Sequence, residues 1–377
     1  MHASPSSYSL DRLTALFHVA CDAENIAARA SSIAIEQSVE LPLAAIRDTR
    51  VLSDIVGEVR DIIELRSGLF EVRVALAAST TGGDAGQLMN MLFGNSSIHE
   101  DVTLADVEFP DALARCFGGP RHGIAGLRTR ARVQHRALTC TALKPQGLVS
   151  ADLADLARRL ALGGIDFIKD DHGLADQPYS PFPERVAACA AAVATANSQT
   201  GGASRYVPNI TGDLERMRAQ VRLAREAGCD TVMAEPMIAG LSNFHALTLD
   251  FPDMAFIAHP ALAGASRIHP PLLLGKLFRL FGADATIFPN TGGRFGYTAA
   301  TCHAIAHAAR APWHGLKPCL PTPAGGMTLD RVPELLDSYG ADTMLLIGGG
   351  LLAQHDRLVE AAREFVDRVA EHGRQHV

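Results

Sequence analysis

Positive charge is scarce in this sequence of 377 residues, and lysine is scarcer still. Asp and Glu number 41 against 34 Lys and Arg, which gives a formal net charge of -7 at pH 7. Because binding to nucleic acid or to an anionic membrane requires a basic surface, we expect neither partner. Arginine has replaced lysine almost throughout, so the few remaining amines mark positions to examine for chemistry: Lys144, Lys169, Lys276 and Lys317.

Cysteine motifs and long apolar runs are also missing. The seven cysteines form no Cys-x-x-Cys pair and no spacing typical of zinc ligands, so we expect neither a zinc module nor a disulfide framework. No run of about 18 apolar residues occurs, and residues 1–13 lack the basic and apolar regions of a signal peptide. We therefore expect a protein of the reducing cytoplasm that does not enter a membrane.

The composition is that of a folded protein with room for two domains. Hydrophobic residues make up 47% and charged residues 20% of the chain, which excludes disorder and coiled coil. In residues 1–120, a helical pattern (23–37) lies among apolar runs typical of strands (16–20, 51–65 and 69–77). We predict a small ferredoxin-like α+β domain over this part of the chain.

Residues 121–377 alternate short apolar runs with alanine-rich amphipathic stretches, a rhythm typical of βα units. Eight such units match a TIM (β/α)8 barrel, whereas a doubly wound sheet usually has fewer strands. Because such barrels place their chemistry at the C-terminal ends of the strands, the polar residues after each run are candidate site residues. We predict the strands at residues 137–143, 164–168, 206–210, 231–234, 255–258, 285–288, 314–319 and 343–347.

The strongest cluster ends the second predicted strand and consists of Lys169, Asp170, Asp171 and His172. Three consecutive oxygen or nitrogen donors beside a lysine suit a hard divalent cation such as Mg²⁺. A solvated polar loop with an aspartate N-cap is the competing interpretation, which the position at a barrel strand end makes weaker. Lys144, after the first strand, is a candidate general acid or base, with an ordinary surface charge as the alternative.

Two glycine-rich segments follow the last two predicted strands. The first contains Gly325 and Gly326, and the second contains Gly348 and Gly349. TIM barrels usually bind phosphate at this place through main-chain N–H groups, although glycines also serve tight turns. We predict that both segments bind a phosphate group of the substrate.

Two further candidates follow the fifth and sixth strands. Residues 291–296 (TGGRFG) have the pattern of a mobile lid with glycine hinges, in which Arg294 would hold a carboxylate or a phosphate. His259 is either a contact of substrate or metal or a structural histidine. A surface arginine is the alternative for position 294.

Together these motifs resemble the large subunit of ribulose-bisphosphate carboxylase. The resemblance rests on residues 141–145 (TALKP), 163–172 (GGIDFIKDDH) and 118–123 (GGPRHG), and it covers most of the chain. Residues 36–40 (EQSVE) are more similar to the carboxylase-like, form IV branch of that family. The resemblance implies the same two-domain fold as the apolar pattern.

The resemblance also implies roles for individual residues. Lys169 would be carbamylated by CO₂ and would bind Mg²⁺ through its new oxygens, together with Asp171. At the third ligand position the family usually has glutamate, whereas this chain has His172, which leaves the identity of the metal open. Lys144 matches the catalytic lysine of the first strand. Asn95 resembles the asparagine that reaches into the neighbouring subunit's site, which implies a homodimer with shared active sites.

Departures from the family pattern argue against carboxylation of ribulose bisphosphate. The N-domain glutamate of the family falls at Ala78, and its lid lysine falls at Arg294. Donors of the second phosphate site are replaced by Pro260 and Ala324, whereas the glycines of the first site remain. Because an anion without donors would be buried unpaired, we expect a small-molecule sugar monophosphate as substrate.

We therefore expect a Mg²⁺-dependent enzyme that forms an enolate, with Lys144, Lys169, His259 and Arg294 as catalytic residues. The favoured activity is a carbon–carbon lyase or hydrolase reaction of apiose catabolism, that of 3-oxo-isoapionate 4-phosphate decarboxylase or its transcarboxylase/hydrolase relative, because Arg294 would hold the substrate carboxylate. The first alternative is a 2,3-diketo-5-methylthiopentyl-1-phosphate enolase or methylthioribulose-1-phosphate isomerase of methionine salvage. The second is a non-catalytic binding protein on the same scaffold.

Overall fold

The computed structural model describes residues 11–375, which form two compact units. The first unit contains the described residues up to Gly118 together with Leu262–Leu273 and Trp313–Leu316. The second contains the rest of the described chain. The division at residues 1–120 and 121–377 stays a prediction. No helix within residues 11–375 has the length and apolar character needed to cross a membrane.

The first unit is built on a four-stranded antiparallel sheet with the strand order β2-β3-β1-β4. This sheet order and the βαββαβ succession of its elements are those of a ferredoxin-like domain, so the predicted fold class is confirmed. Alternate residues of the first strand are buried against the helices, among them Leu13, Ala15 and Phe17. The elements are β1 (Arg12–Ala20), α1 (Ile26–Glu36), β2 (Glu58–Arg66), β3 (Leu69–Ala77), α2 (Ala85–Phe93), β4 (Val102–Glu108) and α3 (Asp111–Phe117).

The predicted strand over residues 51–65 is wrong in its first half. Val51–Ile55 form a π-helical turn, and the strand begins only at Glu58. The Arg12 guanidinium donates hydrogen bonds to main-chain oxygens next to and within this turn at 2.8 and 3.1 Å. Gly57 passes so close to α1 that a Cβ there would lie 2.4 Å from a main-chain oxygen. These contacts with distant residues, which no local pattern encodes, override the strand propensity of the apolar run.

The second unit is an eight-stranded parallel barrel. Its strands pair in the order β12-β5-β6-β7 and β8-β9-β10-β11, and main-chain hydrogen bonds at Met233 join β7 to β8. Between β11 and β12, the Thr343 hydroxyl donates to the main-chain oxygen of Pro321 at 3.0 Å. The strands are β5 (Leu138–Leu143), β6 (Phe167–Asp170), β7 (Arg205–Val207), β8 (Thr231–Ala234), β9 (Ala255–Ala258), β10 (Ala285–Pro289), β11 (Leu320–Ala324) and β12 (Met344–Leu346).

Helices alternate with these strands, as the sequence predicts for βα units. The apolar spacing of residues 150–162 predicts one of them at its observed bounds. The helices are α4 (Gly123–Ala131), α5 (Ser150–Leu162), α6 (Phe182–Thr200), α7 (Leu214–Glu226), α8 (Pro236–Ala239), α9 (Leu241–Asp250), α10 (Phe278–Leu280), α11 (Ala299–Arg310), α12 (Val332–Tyr339), α13 (Gly349–Leu352) and α14 (Leu358–Gln375).

The barrel core is closed at one end by α4. Ile124 and Leu127 of this helix pack in one cluster with buried residues from all eight strands. The helix begins at Gly123, whose N–H donates to Asp284 Oδ1 at 2.6 Å, directly before β10 begins. The α4 helix therefore covers the N-terminal ends of the strands and leaves their C-terminal ends for a site.

The seventh barrel strand is not where the sequence predicts it. Residues 314–319 form a turn and loop, and the strand is β11, which contains Pro321 and Pro323. Prolines argue against a central strand because they lack the N–H donor, so the pattern favoured the neighbouring run. Lys317 consequently lies before the strand, where its Nζ donates to the main-chain oxygen of Arg121, and not at the catalytic end.

Candidate active site

Most of the side chains singled out by the sequence lie at the C-terminal ends of the barrel strands, within one unit. Lys144 directly follows β5, and Lys169 lies in β6. Asp171 and His172 follow that strand, and His259 follows β9. Because all strands of a parallel barrel point the same way, these side chains belong to one end of the barrel.

The amine of Lys169 is enclosed by protein. The residue is 3% exposed, and its Nζ donates to the main-chain oxygen of Asp170 at 2.9 Å. Burial lowers the pKa of Lys169, because removal from water disfavours the charged form. Burial thus shifts the balance towards the neutral amine, which is the form that reacts with CO₂.

Asp171 is held as a carboxylate by the groups around it. The Nζ of Lys144 forms an ion pair with Asp171 Oδ1, and the Nδ1 of His172 lies 3.5 Å from the same oxygen. Burial by itself would raise the pKa of Asp171. The hydrogen bonds from His172 and Lys144 and the charge of Lys169 outweigh burial and bring this pKa well below its usual range.

Two histidine rings stack at the same end of the barrel. The ring centroids of His172 and His259 are 4.5 Å apart, with an interplanar angle of 12°. Burial, and then the charges of Lys169 and His172, lower the pKa of His259 to about 2, so its ring is neutral. Its Nδ1 accepts a hydrogen bond from the N–H of Ala261 at 3.2 Å, which leaves the proton on Nε2.

Asp170, the first of the three consecutive donors of the predicted cluster, faces away from the other two. Its carboxylate accepts hydrogen bonds from Arg185 at 3.1 Å, the Tyr206 hydroxyl at 2.8 Å and the N–H of Asn209 at 3.1 Å. Burial raises the pKa of Asp170, whereas the charge of Arg185 and these hydrogen bonds favour its charged form. The prediction of three consecutive donors is therefore wrong at Asp170, which anchors β6 to α6 and β7.

An Asp170→Asn variant is expected to lose about 3–5 kcal/mol of unfolding free energy, because it leaves the fully buried Arg185 guanidinium without its carboxylate. Urea denaturation of the whole protein measures the change. The matched control is Asp155→Asn, which breaks the exposed pair between Asp155 and Arg158 and is expected to cost less than about 1 kcal/mol. Equal losses in the two variants would contradict the anchoring role of Asp170.

The cluster fits a metal ion only if Lys169 contributes an oxygen. Within residues 11–375, no three His, Cys, Asp or Glu side chains are grouped so that they could hold a metal ion. Asp171 and His172 provide one oxygen and one nitrogen donor, so a third protein donor has to be the carbamate of Lys169. Its buried amine and the anionic Asp171 fit Mg²⁺ in that form, because carbamylation replaces a cation with an oxygen ligand.

The predicted lid and the first glycine segment are in direct contact. A Cβ on Gly293 would lie 1.9 Å from the main-chain oxygen of Gly325, and one on Gly326 would lie 3.2 Å from the Arg294 nitrogen. Both glycines of the segment have positive φ, 88° for Gly325 and 76° for Gly326. Glycine at these two positions is therefore required by the backbone itself.

The second glycine segment lies next to the first. A Cβ on Gly350 would be 3.3 Å from the main-chain oxygen of Met327. Gly348 and Gly349 have no positive φ, and a Cβ on either would meet nothing within 4 Å. Neither backbone conformation nor crowding within the described chain requires glycine there. Open space beside main-chain N–H groups suits the close approach of an anion.

Arg294 is exposed on the lid, with its Cζ 5.6 Å from the ring centroid of Phe295. Across residues 11–375 no ion pair with a carboxylate is found for Arg294. Its guanidinium is thus available to an anionic ligand, although an arginine binds a carboxylate or a phosphate equally well.

Comparison with known proteins identifies the origin of this arrangement. Residues 123–370 match the sequence family described as "Ribulose bisphosphate carboxylase large chain, catalytic domain". The chain belongs to the ribulose bisphosphate carboxylase large chain family. A solved structure of a Rubisco-like protein from Rhodopseudomonas palustris superposes with a TM-score of 0.90 at 55% identity and covers 96% of this chain and 98% of that chain. The predicted family and its two-domain fold are therefore confirmed.

Two relatives of this chain are named as enzymes. A 5-methylthioribulose-1-phosphate isomerase from Rhodospirillum rubrum is 58% identical over 361 residues, which are 96% of each chain. A 2,3-diketo-5-methylthiopentyl-1-phosphate enolase from Geobacillus kaustophilus is 34% identical over 304 residues, 78% of this chain and 73% of that protein. These names support an enzyme and favour the first alternative of the sequence analysis.

The expected decarboxylase or transcarboxylase/hydrolase of 3-oxo-isoapionate 4-phosphate is wrong. The relatives, one of them similar over almost the whole chain, are named as an isomerase and an enolase of methylthio sugar phosphates, and not as carbon–carbon lyases. The expectation depended on Arg294 as a clamp for a substrate carboxylate. Because an exposed arginine also binds phosphate, this residue could not separate the two substrate classes.

The structure adds two residues that the sequence analysis did not assign. The Gln146 side chain lies over Gly173, where a Cβ would come within 1.4 Å of its Nε2, so it covers the loop that carries His172. Glu235 directly follows β8 and is buried. The sequence signal for Glu235 was its position directly after the fourth barrel strand, but no motif around this single glutamate indicates a function.

Asn95 lies in the first unit and is considered within that unit alone. Its Nδ2 donates hydrogen bonds to Glu36 Oε1 at 2.8 Å and Glu40 Oε1 at 2.9 Å. These two glutamates belong to the segment 36–40 that resembles the form IV branch. The pair orients the Asn95 amide, and its proposed role at a neighbouring subunit's site stays a prediction.

Proposed function

We propose that this enzyme is a 5-methylthioribulose-1-phosphate isomerase that uses Mg²⁺ and a carbamylated Lys169. The main support is the pairing of Lys144 with Asp171 beside the buried amine of Lys169 at the barrel mouth. The 58% identity to a named isomerase, against 34% to a named enolase, favours isomerisation. Enolisation of 2,3-diketo-5-methylthiopentyl 1-phosphate is the second candidate, because the same groups would form its enolate.

Binding of the substrate would use the glycine segments. In this proposal the phosphate lies beside Gly348 and Gly349, where an added Cβ would meet nothing within 4 Å, and beside Gly325 and Gly326. Arg294 on the lid adds a positive charge next to them. The substrate of the isomerase carries a single phosphate, which agrees with the loss of the second set of phosphate donors.

The proposed chemistry moves a carbonyl along a carbon chain. Mg²⁺ held by carbamylated Lys169, Asp171 and His172 would polarise the carbonyl group. Lys144 would take the proton from the carbon next to the carbonyl and return it to the former carbonyl carbon, while the proton of the adjacent hydroxyl group passes to the former carbonyl oxygen. Asp171 orients Lys144 through their ion pair, and the neutral ring of His259 donates its Nε2–H to a substrate oxygen.

The direct test is incubation of the bicarbonate- and Mg²⁺-treated protein with each of the two methylthio sugar phosphates. We expect nuclear magnetic resonance to show conversion of 5-methylthioribulose 1-phosphate to an isomeric ketose phosphate. Growth of enol absorbance with the diketo substrate alone would favour the second candidate. Conversion of neither substrate would contradict both, and would leave the non-catalytic scaffold.

A Gly293→Ala variant is expected to raise the KM for the sugar phosphate roughly ten- to a hundredfold, as expected of a misplacement of about 1 Å. The added methyl group would lie 1.9 Å from the main-chain oxygen of Gly325, so the lid has to move off the glycine segment. Gly296→Ala in the same loop is the matched control, because a Cβ there meets nothing within 4 Å. Steady-state kinetics of both variants measure the two KM values. Equal values would contradict a role of the lid contact in substrate binding.

The proposal includes a homodimer whose active sites are shared through Asn95. Light scattering of the purified protein tests the dimer. Mixing two variants, Asn95→Asp and Lys169→Ala, tests the sharing. If each site uses Asn95 of one chain and Lys169 of the other, a mixed dimer contains one intact site, so an equal mixture is expected to regain part of the lost activity.

A further inference from the structure

Buried carboxylates provide a comparison that singles out Glu235. The structure describes five of them: Asp166, Asp170, Asp171, Asp284 and Glu235. Every buried oxygen of the four aspartates has a hydrogen-bond partner, whereas Glu235 Oε1 has none within residues 11–375. Since an unpaired buried polar atom is unfavourable, it calls for an explanation, and a bound ligand is one.

The partners of the aspartates are fixed by the fold. Asp166 accepts both guanidinium N–H groups of Arg136, at 2.7 and 2.9 Å. Asp284 accepts three main-chain N–H groups between 2.6 and 2.9 Å. These carboxylates hold the barrel together, and Glu235 has no comparable ion pair in the described chain. A purely structural role therefore does not account for it.

Glu235 lies at the catalytic end of the barrel. It directly follows β8, is 2% exposed, and its main-chain oxygen accepts the N–H groups of Ile238 and Ala239, both at 2.9 Å. Burial raises the pKa of Glu235 to about 7, while the charges of Lys169 and His172 act in the opposite direction. Its position after β8 puts Glu235 at the same end of the barrel as Lys169 and His172, which lie in and after β6.

A role as an additional metal ligand does not fit. Asp171, His172 and Glu235 would then form a group of three ordinary ligands, and no such group exists among residues 11–375. The ligand that Glu235 lacks is a hydrogen-bond donor. The proposed substrate offers donors, because hydroxyl groups lie between its carbonyl carbon and its methylthio end.

We propose that Glu235 is a substrate-binding residue whose Oε1 accepts a hydrogen bond from a hydroxyl group of the sugar chain. This inference rests on the proposed function, and it names the residue that binds the part of the substrate between the phosphate and the methylthio group. The carboxyl group would fix which carbon faces Lys144, because a bound hydroxyl sets the rotation of the chain around the carbonyl.

The test compares Glu235→Met with wild-type protein. Methionine keeps the approximate shape and removes the acceptor, so affinity for 5-methylthioribulose 1-phosphate is expected to fall roughly tenfold or more in calorimetry. Glu235→Gln, which keeps a neutral acceptor, is expected to lie between them. Glu226→Gln, an exposed glutamate at the end of α7, is the control and is expected to bind like wild type.

Deoxy analogues that lack one hydroxyl group identify the contact. In wild-type protein, one analogue is expected to bind roughly tenfold more weakly than the parent compound, and in Glu235→Met the same analogue and the parent are expected to bind equally. The denaturation midpoint of Glu235→Met is expected to change little, because the variant breaks no ion pair and removes only the interaction of Glu235 with the Asn209 side chain. A large fall would show a structural role and overturn the inference.

The possible failures are distinguishable. Wild-type protein that binds and converts the substrate, together with unchanged affinity in Glu235→Met, would overturn the inference and leave the proposed function intact. Additive losses from the variant and the analogue would also overturn it, because they show that the residue and the hydroxyl do not interact. Wild-type protein that binds neither methylthio sugar phosphate would overturn the proposed function and this inference with it.

Discussion

A Lys169→Arg variant is expected to lose its tightly bound Mg²⁺ and at least roughly a thousandfold of its isomerase activity. Arginine keeps the approximate length of the side chain, but its guanidinium does not lose a proton and cannot react with CO₂. The third protein donor of the proposed site, the carbamate oxygen, is then missing. Polarisation of a carbonyl by a metal ion is worth several kcal/mol, and each 1.4 kcal/mol corresponds to about tenfold in rate.

Metal analysis after dialysis, carbon-13 resonance of protein treated with labelled bicarbonate, and turnover together measure this loss. Lys317→Arg is the matched control, because Lys317 donates to a main-chain oxygen before β11, away from the catalytic strand ends. We expect the control to keep metal, label and activity. Metal binding or turnover that survives in Lys169→Arg would exclude the carbamate.

The fold follows from the sequence wherever one local pattern dominates. The amphipathic spacing of α5 and the apolar run of β3 predict both elements at their observed bounds. At β11 the prolines hide a central strand, and at residues 51–55 contacts of Arg12 replace a predicted strand by a π-helical turn. In both places the outcome depends on neighbours far away in the chain, to which a local pattern is blind.

The site is predictable in its residue types and less so in their directions. Placement at strand ends correctly brings Lys144 and Asp171 together, and the histidine rings of the second and fifth strands stack. Lys169 and Asp170 are consecutive in a strand, so their side chains face opposite sides, and only the lysine belongs to the mouth. The alternation of side chains along a strand is therefore the sequence signal that separates these two residues.

The choice of reaction was beyond the sequence motifs. Arg294 would bind an anion in either reaction, and an enolate beside a cation serves decarboxylation, enolisation and isomerisation alike. What separates these reactions is the fit of uncharged parts of the substrate, such as hydroxyl groups. In our proposal Glu235 contributes to that fit, because its Oε1 lacks a hydrogen-bond partner within the described chain. Only the folded barrel shows this unpaired oxygen.

A Lys144→Ala variant is expected to lose roughly 10²- to 10⁴-fold in kcat while it keeps its metal and its affinity for the sugar phosphate. The amine of Lys144 would carry the proton between two substrate carbons, whereas Lys169, Asp171 and His172 would hold the metal without it. This split separates the variant from Lys169→Arg, which is expected to lose both metal and turnover. Lys144→Arg is expected to be as inactive as the alanine variant, because arginine keeps the charge near Asp171 but does not accept a proton.

Hydrogen exchange gives the most direct measurement of this step. In deuterated water, wild-type protein is expected to exchange a carbon-bound hydrogen of the substrate during turnover, and Lys144→Ala is expected to do so at least roughly a hundredfold more slowly. A small external amine such as methylamine is expected to restore part of the exchange, since in the proposed mechanism the vacated space beside Asp171 Oδ1 would lie next to the bound substrate. Exchange at the wild-type rate without added amine would show that another group moves the proton, and the neutral His259 ring would then be the next residue to replace.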